Sequence, residues 1–230
     1  MIEKVKKEVF ELLKKDHSGH GIDHIERVLR LSLEFAKKEQ ANHEIVALIA
    51  LLHDVDDYKL FGFQQAKELT NARKIMNKAG VVQETQKEVL EALQCIGYSK
   101  SLKGIRPKTI EGKIVSDADM CDAIGANGII RVYTYSMKHQ KPFFDRHVFP
   151  MEKLSVDEYT TRDADTSVCH IFEKLLKLKD MMLTNAGKEE AKDRHQIIVD
   201  FLCHLFEEEN ADEWKEYLDR YLQKQSYIDE

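Results

Sequence analysis

Three separated groups of histidine and aspartate lie in segments whose other residues are typical of buried helices. In ALLHDVDDYK, an apolar run from Ile45 to Leu52 ends in His53-Asp54. GHGIDHIERV places His24 just after a glycine-rich break, and VSDADMCDAIGA sets three aspartates among small apolar residues. Burying a carboxylate is costly unless it is paired or bound to a metal. Because His and Asp offer nitrogen and oxygen donors to divalent ions, the joint pattern predicts a shared cation site.

Each group taken alone also has an ordinary structural explanation. A His-Asp pair can cap a helix end, and an aspartate such as Asp119 can lie on an exposed helix face. Asp23 could fix the tautomer of the adjacent His24, but capping of the helix is the favoured interpretation. Only the combination of all three groups favours a cation site over ordinary structural roles for these residues.

The elements that must position these groups are predicted to be helices. The chain has only 3 prolines and 10 glycines, the two residues that helices tolerate worst, and no segment shows convincing strand alternation. The periodicity predicts helices over residues 2–16, 23–39, 43–55, 64–79, 83–96 and 110–139, and two or three charged amphipathic helices within 167–227. Residues 97–109, GYSKSLKGIRPKT, and residues 141–165 fit no regular element. The fold class is therefore all-α, in one domain with a C-terminal helical extension.

The composition excludes several classes of function. The formal charge is −6, from 35 basic and 41 acidic side chains, which argues against a nucleic-acid binder. No apolar run approaches the length of about 18 residues that a membrane span needs, and the start lacks the apolar region of a signal peptide. We therefore expect a cytoplasmic protein. The 4 cysteines are scattered without a CxxC pair, so reduced thiols are expected.

Several segments together resemble a known superfamily. HGIDHIERV, ALLHDVDDYK, EGKIVSDADMCDAIGANGIIRV and EKLLKLKDMMLTNAGKEEAKDRH are similar to the HD-domain metal-dependent phosphohydrolases, and within them to the small bacterial YpgQ-like subgroup. The resemblance covers about residues 1–215. It implies an HD-domain helical bundle over 1–230, with a metal-binding core at about 17–135 and C-terminal helices at about 166–227.

The resemblance also implies a set of metal ligands. By position these are His24, His53, Asp54 and Asp119, and Asp117 is the alternative because the D-A-D repeat leaves the register open. Met120-Cys121 and Asn127 depart from the subgroup pattern, which has Arg-Leu and Ile there. The loss of a basic residue beside the metal aspartate could alter substrate choice or the support of the ligands.

A single divalent ion is the expected cofactor, with Mn, Mg, Fe, Ni and Co all open. Dinuclear relatives need further histidines between the HD pair and the last aspartate, and no histidine occurs from Val55 to Ala118. Four protein ligands on a six-coordinate ion leave two positions. One would take a water whose pKa the ion lowers, and the other a phosphate oxygen.

Other site residues are assigned from position and charge. Asp57 lies four residues after His53, one helical turn on, and in similar enzymes an acid there is general acid or base; pairing with Lys59 in solvent is the alternative. Lys59 joins Asp57 in the predicted catalytic group. Lys100, in the basic loop, and Arg131 are the predicted substrate-binding residues, although Arg131 could instead tie helices together.

The predicted function is hydrolysis of a small phosphorylated substrate, a nucleotide, by a metal-activated water. Pyrophosphate release from nucleoside triphosphates and phosphomonoester hydrolysis by a nucleotidase are both open. A catalytically weak nucleotide- or metal-binding regulatory module is the alternative from another class. A dinuclear oxygenase of the same fold is disfavoured by the missing histidines. The C-terminal helices could form a homodimer interface or simply cover the bundle.

Overall fold

The structure is a computed structural model that describes residues 1–14, 21–151 and 165–226, apart from the side chains at positions 59, 225 and 226. Its described residues form helices and no strands, which confirms the all-α prediction. The helices are α1 Ile2–Leu13, α2 Ile22–Glu39, α3 His43–Leu52, α4 Tyr58–Phe61, α5 Phe63–Glu68, α6 Thr70–Ala79, α7 Gln83–Leu93, α8 Tyr98–Leu102, α9 Ile110–Asp122, α10 Gly125–Lys138, α11 Ser167–Glu173, a 3₁₀ segment Leu175–Met181, α12 Asn185–Glu208 and α13 Asp212–Ser226.

The helices that carry the predicted site begin at residues suited to that position. Asn42 caps α3 by accepting hydrogen bonds from the N–H groups of Glu44 and Ile45. Thr109 caps α9 in the same way through the N–H of Gly112. These side chains satisfy donors that the first turn of a helix leaves unpaired. The starts of both helices are therefore set by local sequence.

Helix α2 lies at the centre of the site region, packed against both α3 and α9. All residues of α3 from Val46 to Leu52 are buried, because α1, α2, α7 and α9 surround this helix. The N–H of Asn42 donates to the carboxylate of Glu111 at 3.3 Å, so α3 and α9 begin side by side. Parallel neighbours of similar length also end together, which brings His53 to the last turn of α9.

The C-terminal helices complete the same hydrophobic core. Helix α12 packs on α2, α9 and α10, and its buried face joins the cluster formed by the N-terminal helices. Trp214 of α13 is fully buried, and its indole N–H donates to the Arg146 carbonyl at 3.0 Å. Phe149 stacks on this indole with ring centroids 4.4 Å apart. Helix α13 is thus held by aromatic packing.

Several predicted boundaries were wrong. The predicted helix over 64–79 is interrupted at Leu69, whose φ of 53° is left-handed. The predicted helix over 110–139 breaks before Gly125, which has φ of 75° and would bring an added Cβ to within 3.1 Å of the Arg194 side chain. The predicted loop 97–109 contains the short helix α8. Helix α3 ends at Leu52 rather than at 55, and residues 152–164 of the predicted irregular segment lie outside the described residues.

All four cysteines are free; Cys121 and Cys169 are buried, Cys95 is partly buried and Cys203 is exposed. Within the described ranges, no helix has both the length and the apolarity needed to cross a membrane.

Candidate metal centre

The first turn of α2, the end of α3 and the last turn of α9 meet in the interior of the bundle. His24 is the third residue of α2, His53 directly follows α3, and Asp119 lies three residues before the end of α9. Both imidazoles are almost completely buried, with 2% and 1% of the side chain exposed. Asp119 is 26% exposed, so the centre opens to solvent on the α9 side.

The donor atoms of four predicted ligands converge at this point. His24 Nε2 lies 3.1 Å from His53 Nε2, 3.3 Å from Asp54 Oδ2 and 3.5 Å from Asp119 Oδ1. His53 Nε2 lies 3.5 Å from Asp54 Oδ2 and 3.8 Å from Asp119 Oδ1. Donor atoms of His24, His53 and Asp119 all lie within 4.8 Å of one another, a spacing that could hold a metal ion. The set of two nitrogens and two carboxylates suits a divalent first-row metal.

The outer nitrogen of each imidazole is bonded to a group that only accepts hydrogen bonds. His53 Nδ1 lies 2.8 Å from the Ala50 carbonyl oxygen, and His24 Nδ1 lies 2.7 Å from Asp122 Oδ2. In the neutral form of each ring, Nδ1 therefore carries the proton and Nε2 presents its lone pair to the cluster. This is the tautomer that metal binding through Nε2 requires.

The charges around His24 favour a cation. Burial alone lowers the pKa of His24, but the hydrogen bonds and charges of Asp122, Asp54 and Asp119 outweigh burial and raise this pKa to about 9. A field that stabilises a proton on His24 also stabilises a positive ion placed between the same carboxylates. The residues present thus fit a bound divalent cation in both donor chemistry and electrostatics.

Asp122 was not assigned a role from the sequence, yet it lies directly behind the cluster. Arg27 Nε and Nη2 donate to its two oxygens at 2.6 and 3.0 Å, and Arg131 Nη1 donates to Oδ2 at 2.7 Å. Burial raises the pKa of Asp122, but the bonds from His24 and Arg27 and the charge of Arg131 hold it below its ordinary range. The sequence signal that could have pointed to this network is a spacing of three residues, from His24 to Arg27 and from Asp119 to Asp122.

The alternative ligand, Asp117, lies elsewhere. Its carboxylate accepts hydrogen bonds from the N–H groups of Leu183 and Thr184 and from the Thr184 hydroxyl, at 2.8–3.0 Å. A Cβ added at Gly187 would meet Asp117 Oδ2 at 2.4 Å, so α12 approaches this carboxylate closely. Asp117 thus binds the start of α12, and the contacts favour Asp119 as the ligand.

Asp56 and Asp23, which flank the predicted ligands in sequence, lie outside the cluster of donor atoms. Asp56 is buried and accepts hydrogen bonds from the N–H groups of Asn71 and Ala72, both at 2.9 Å, so it caps α6. Asp23 is exposed in the first turn of α2, whose N-cap is Gly21 without a side-chain cap. The preference for Asp23 as the cap was therefore wrong.

The other predicted site residues are placed to different degrees. Helix α3 ends at Leu52, so Asp57 does not lie one helical turn after His53 on the same helix face. Instead, the Asp57 N–H donates to the Asp54 carbonyl at 3.1 Å, which keeps the residue beside the cluster. Lys100 donates to the Leu93 carbonyl at 3.0 Å. Burial lowers the pKa of Lys100, while Cys95 and Asp57 oppose this shift.

Lys59 and Arg131, the two remaining predicted residues, lie in α4 and α10. Lys59 lies in α4, but its side chain is outside the described part of the structure. Arg131 contacts Asp122 and lies 3.5 Å from His24 Nδ1, which agrees with the helix-tying alternative. Their roles in substrate binding stay predictions.

Comparison with known proteins places this chain in a family. The HD-domain family pattern matches residues 21–124, which include all four predicted ligands. YpgQ of Bacillus subtilis is 30% identical over 204 residues, covering 88% of this chain and 91% of YpgQ.

Solved structures agree with this match. A Lactobacillus plantarum protein superposes with a TM-score of 0.78 at 32% identity, covering 91% of this chain and 97% of its own. An HD-superfamily hydrolase from Bacillus thuringiensis gives 0.71 at 34% identity, with coverages of 91% and 97%. The complex of B. subtilis YpgQ with ADP gives 0.68 at 27% identity, with coverages of 90% and 94%. The chain therefore belongs to the HD-domain superfamily, has the fold of its hydrolases and is a relative of YpgQ.

Proposed function

We propose that this protein is a metal-dependent phosphohydrolase that hydrolyses nucleotides, as a nucleoside triphosphate pyrophosphohydrolase or a nucleotidase. The observation that carries the proposal is the convergence of two imidazole nitrogens with two carboxylates within 3.1–3.8 Å. Such a donor set is buried at high cost unless a cation lies among it. His24, His53, Asp54 and Asp119 would hold one divalent ion.

A bound divalent ion would supply Lewis-acid stabilisation of phosphate charge and a water of lowered pKa. The chain's own residues would do the rest. Asp57, held beside Asp54 by its backbone hydrogen bond, would accept the proton of the attacking water or donate one to the leaving oxygen. Lys100, whose charge interacts with that of Asp57, and Lys59, two residues after Asp57 in α4, would offset the charge of the phosphates.

Two observations favour a nucleotide over a simpler phosphate ester. The related YpgQ has been crystallised with ADP. In this chain, Tyr58 follows Asp57 directly, and its ring stacks on Phe63 with centroids 5.1 Å apart and an interplanar angle of 18°. Phe63 is 78% exposed, an unusual state for a phenylalanine, and aromatic faces of this kind bind nucleobases by stacking.

A turnover panel tests the proposal. Purified protein with Mn²⁺ or Mg²⁺ would meet ribo- and deoxyribonucleoside mono-, di- and triphosphates, with products resolved as phosphate, pyrophosphate or tripolyphosphate. Pyrophosphate release that is absent from Asp54→Ala would establish the triphosphate activity, and phosphate release from monophosphates would establish a nucleotidase. No metal-dependent release from any substrate would overturn the proposal.

A second variant tests whether stacking of the nucleobase contributes to substrate binding. Phe63→Ala should raise KM for the nucleotide about fivefold or more, because base stacking is worth roughly 1–3 kcal/mol. Inhibition by tripolyphosphate, which has no base, should keep its wild-type constant. An unchanged KM would leave the metal centre in place but remove the argument from the aromatic pair.

A further inference from the structure

The carboxylate of Asp122 is the point at which three helices meet behind the metal centre. It lies in the last turn of α9, and only 2% of its side chain is exposed. Its partners are His24 and Arg27 from α2 and Arg131 from α10. Among the described contacts, no other carboxylate is bonded to a predicted metal ligand and to two guanidinium groups at once.

The two arginines fix the orientation of this carboxylate. Arg27 engages both oxygens as a fork, with Nε on Oδ1 at 2.6 Å and Nη2 on Oδ2 at 3.0 Å. Arg131 Nη1 reaches Oδ2 at 2.7 Å and the Asp122 carbonyl oxygen at 3.4 Å. A bidentate guanidinium–carboxylate pair has a defined plane, and the second guanidinium arrives from another helix. The carboxylate therefore cannot rotate without breaking at least one of these bonds.

The carboxylate in turn fixes the ring of His24. Its Oδ2 accepts a hydrogen bond from the Nδ1–H of His24 at 2.7 Å, which turns the opposite nitrogen, Nε2, towards His53, Asp54 and Asp119. Without this partner the His24 ring could rotate about χ2 or carry its proton on Nε2. Either change would remove the lone pair from the centre.

We propose that Asp122, clamped by Arg27 and Arg131, is a positioning residue that holds His24 in the tautomer and orientation needed to bind the metal. This inference rests on the proposed metal centre. It gives Arg131 a role behind His24, in place of contact with the phosphate. In this role Asp122 would not itself bind the metal or the substrate.

The competing explanation is that the network only ties α2, α9 and α10 together. That explanation predicts lower stability without a change in metal binding by the folded protein. A matched control exists on the same helix, because Asp117 is also a buried α9 aspartate that accepts several hydrogen bonds, but its partners lie at the start of α12. Asp122→Asn and Asp117→Asn are the same chemical change at two places on one helix.

The experiment measures metal binding directly. Wild type, Asp122→Asn and Asp117→Asn would be titrated with Mn²⁺ by calorimetry, and the visible absorption of the Co²⁺-loaded proteins would report ligand geometry. We expect Asp122→Asn to bind Mn²⁺ about 10–100-fold more weakly and to have an altered Co²⁺ spectrum, the usual cost of losing an outer-shell partner. Asp117→Asn should melt at a lower temperature but keep the wild-type affinity and spectrum.

The outcomes separate this inference from the proposed function. Wild-type affinity and spectrum in Asp122→Asn would overturn the positioning role while leaving the metal centre intact. No binding of Mn²⁺ or Co²⁺ by the wild type would overturn the metal centre itself. If Asp122→Asn does not fold, Arg131→Lys keeps the charge but not the guanidinium geometry. It should weaken Mn²⁺ binding severalfold, and unchanged affinity would count against the clamp.

Discussion

Two acid-rich segments of this protein, HDVDD at 53–57 and DADMCD at 117–122, differ in how the backbone directs neighbouring aspartates to different partners. In each, one aspartate joins the candidate metal centre and another leaves it to bind the start of a neighbouring helix. Asp54 and Asp119 face the histidines. Asp56 caps α6, and Asp117 binds the N–H groups at the start of α12.

The first segment separates its acids with turns. Helix α3 ends at Leu52, and residues 53–56 are non-helical, so adjacent side chains diverge without a fixed period. The second segment stays helical to Asp122, where successive residues rotate by about 100°. Asp117 and Asp119 are therefore about 200° apart and reach opposite neighbours of α9.

This difference shows that acidic composition alone does not identify a ligand. Each segment contains three aspartates, and in both the neighbouring helix decides which carboxylate serves structure and which serves the centre. Substitutions within one segment should consequently separate into losses of activity and losses of stability.

The largest effect is expected for Asp54→Asn. Replacing one carboxylate of a centre of two imidazoles and two carboxylates by an amide removes a negative charge that favours a cation and leaves a weaker, neutral oxygen donor. Metal-dependent turnover should fall to the background rate, with little change in melting temperature in the absence of metal. Calorimetric titration with Mn²⁺ and a turnover assay would measure this. Retained metal binding with full activity would remove Asp54 from the centre.

A smaller loss is expected for Asp57→Asn. A general acid or base typically contributes about 10²–10⁴-fold to the rate. The variant should lose activity in that range while its affinity for Mn²⁺ stays within about twofold of wild type, because Asp57 is predicted to move protons and not to hold the ion. Parallel kinetics and titration would test this split. Wild-type kcat would show that another group transfers the proton.

Asp117→Ala should affect stability instead of chemistry. It leaves the N–H groups of Leu183 and Thr184 and the Thr184 hydroxyl without their acceptor. Burial raises the pKa of Asp117 to about 6 against the effect of these donors, so removing the carboxylate also relieves a desolvation cost. A net loss of about 1–3 kcal/mol is expected. Urea unfolding would measure it, and loss of metal affinity in the folded variant would contradict the separation.

The smallest effect is expected for Asp56→Ala in the first segment. This carboxylate caps α6 from outside the helix, and removal of a cap costs about 1 kcal/mol. For a chain of this size that corresponds to about 2–4 °C in melting temperature. Differential scanning calorimetry would measure the shift, with Asp54→Asn as the reference for lost activity. Loss of turnover at temperatures where Asp56→Ala is folded would show that both acids belong to the centre.

Much of the helical framework could be predicted from the sequence, but its interruptions could not. The end of the helix at Ala79 follows from Gly80, a residue suited to the left-handed conformation that terminates helices. The break at Leu69 has no such local signal, because leucine rarely adopts positive φ. There the new helix start is stabilised by Asp56, which lies 15 and 16 residues before its partners.

The candidate site likewise has a part that could be predicted from the sequence and a part that could not. The residue types and motif order of H…HD…D placed His24, His53, Asp54 and Asp119 in one predicted set, since donor chemistry and family resemblance can be read along the chain. The support behind that set could not be read, because Asp122 lies 98 residues from His24 and 95 from Arg27.

By itself, the sequence determined the helical class, the family and the side chains capable of holding a cation. Tertiary structure decided that Asp117 binds α12 while Asp119 faces the histidines, and that Arg131 holds Asp122. The physical reason is the distance along the sequence over which each property acts. Helical periodicity and donor chemistry are properties of a residue and its near neighbours, whereas hydrogen bonds of 2.6–3.0 Å depend on how whole helices pack.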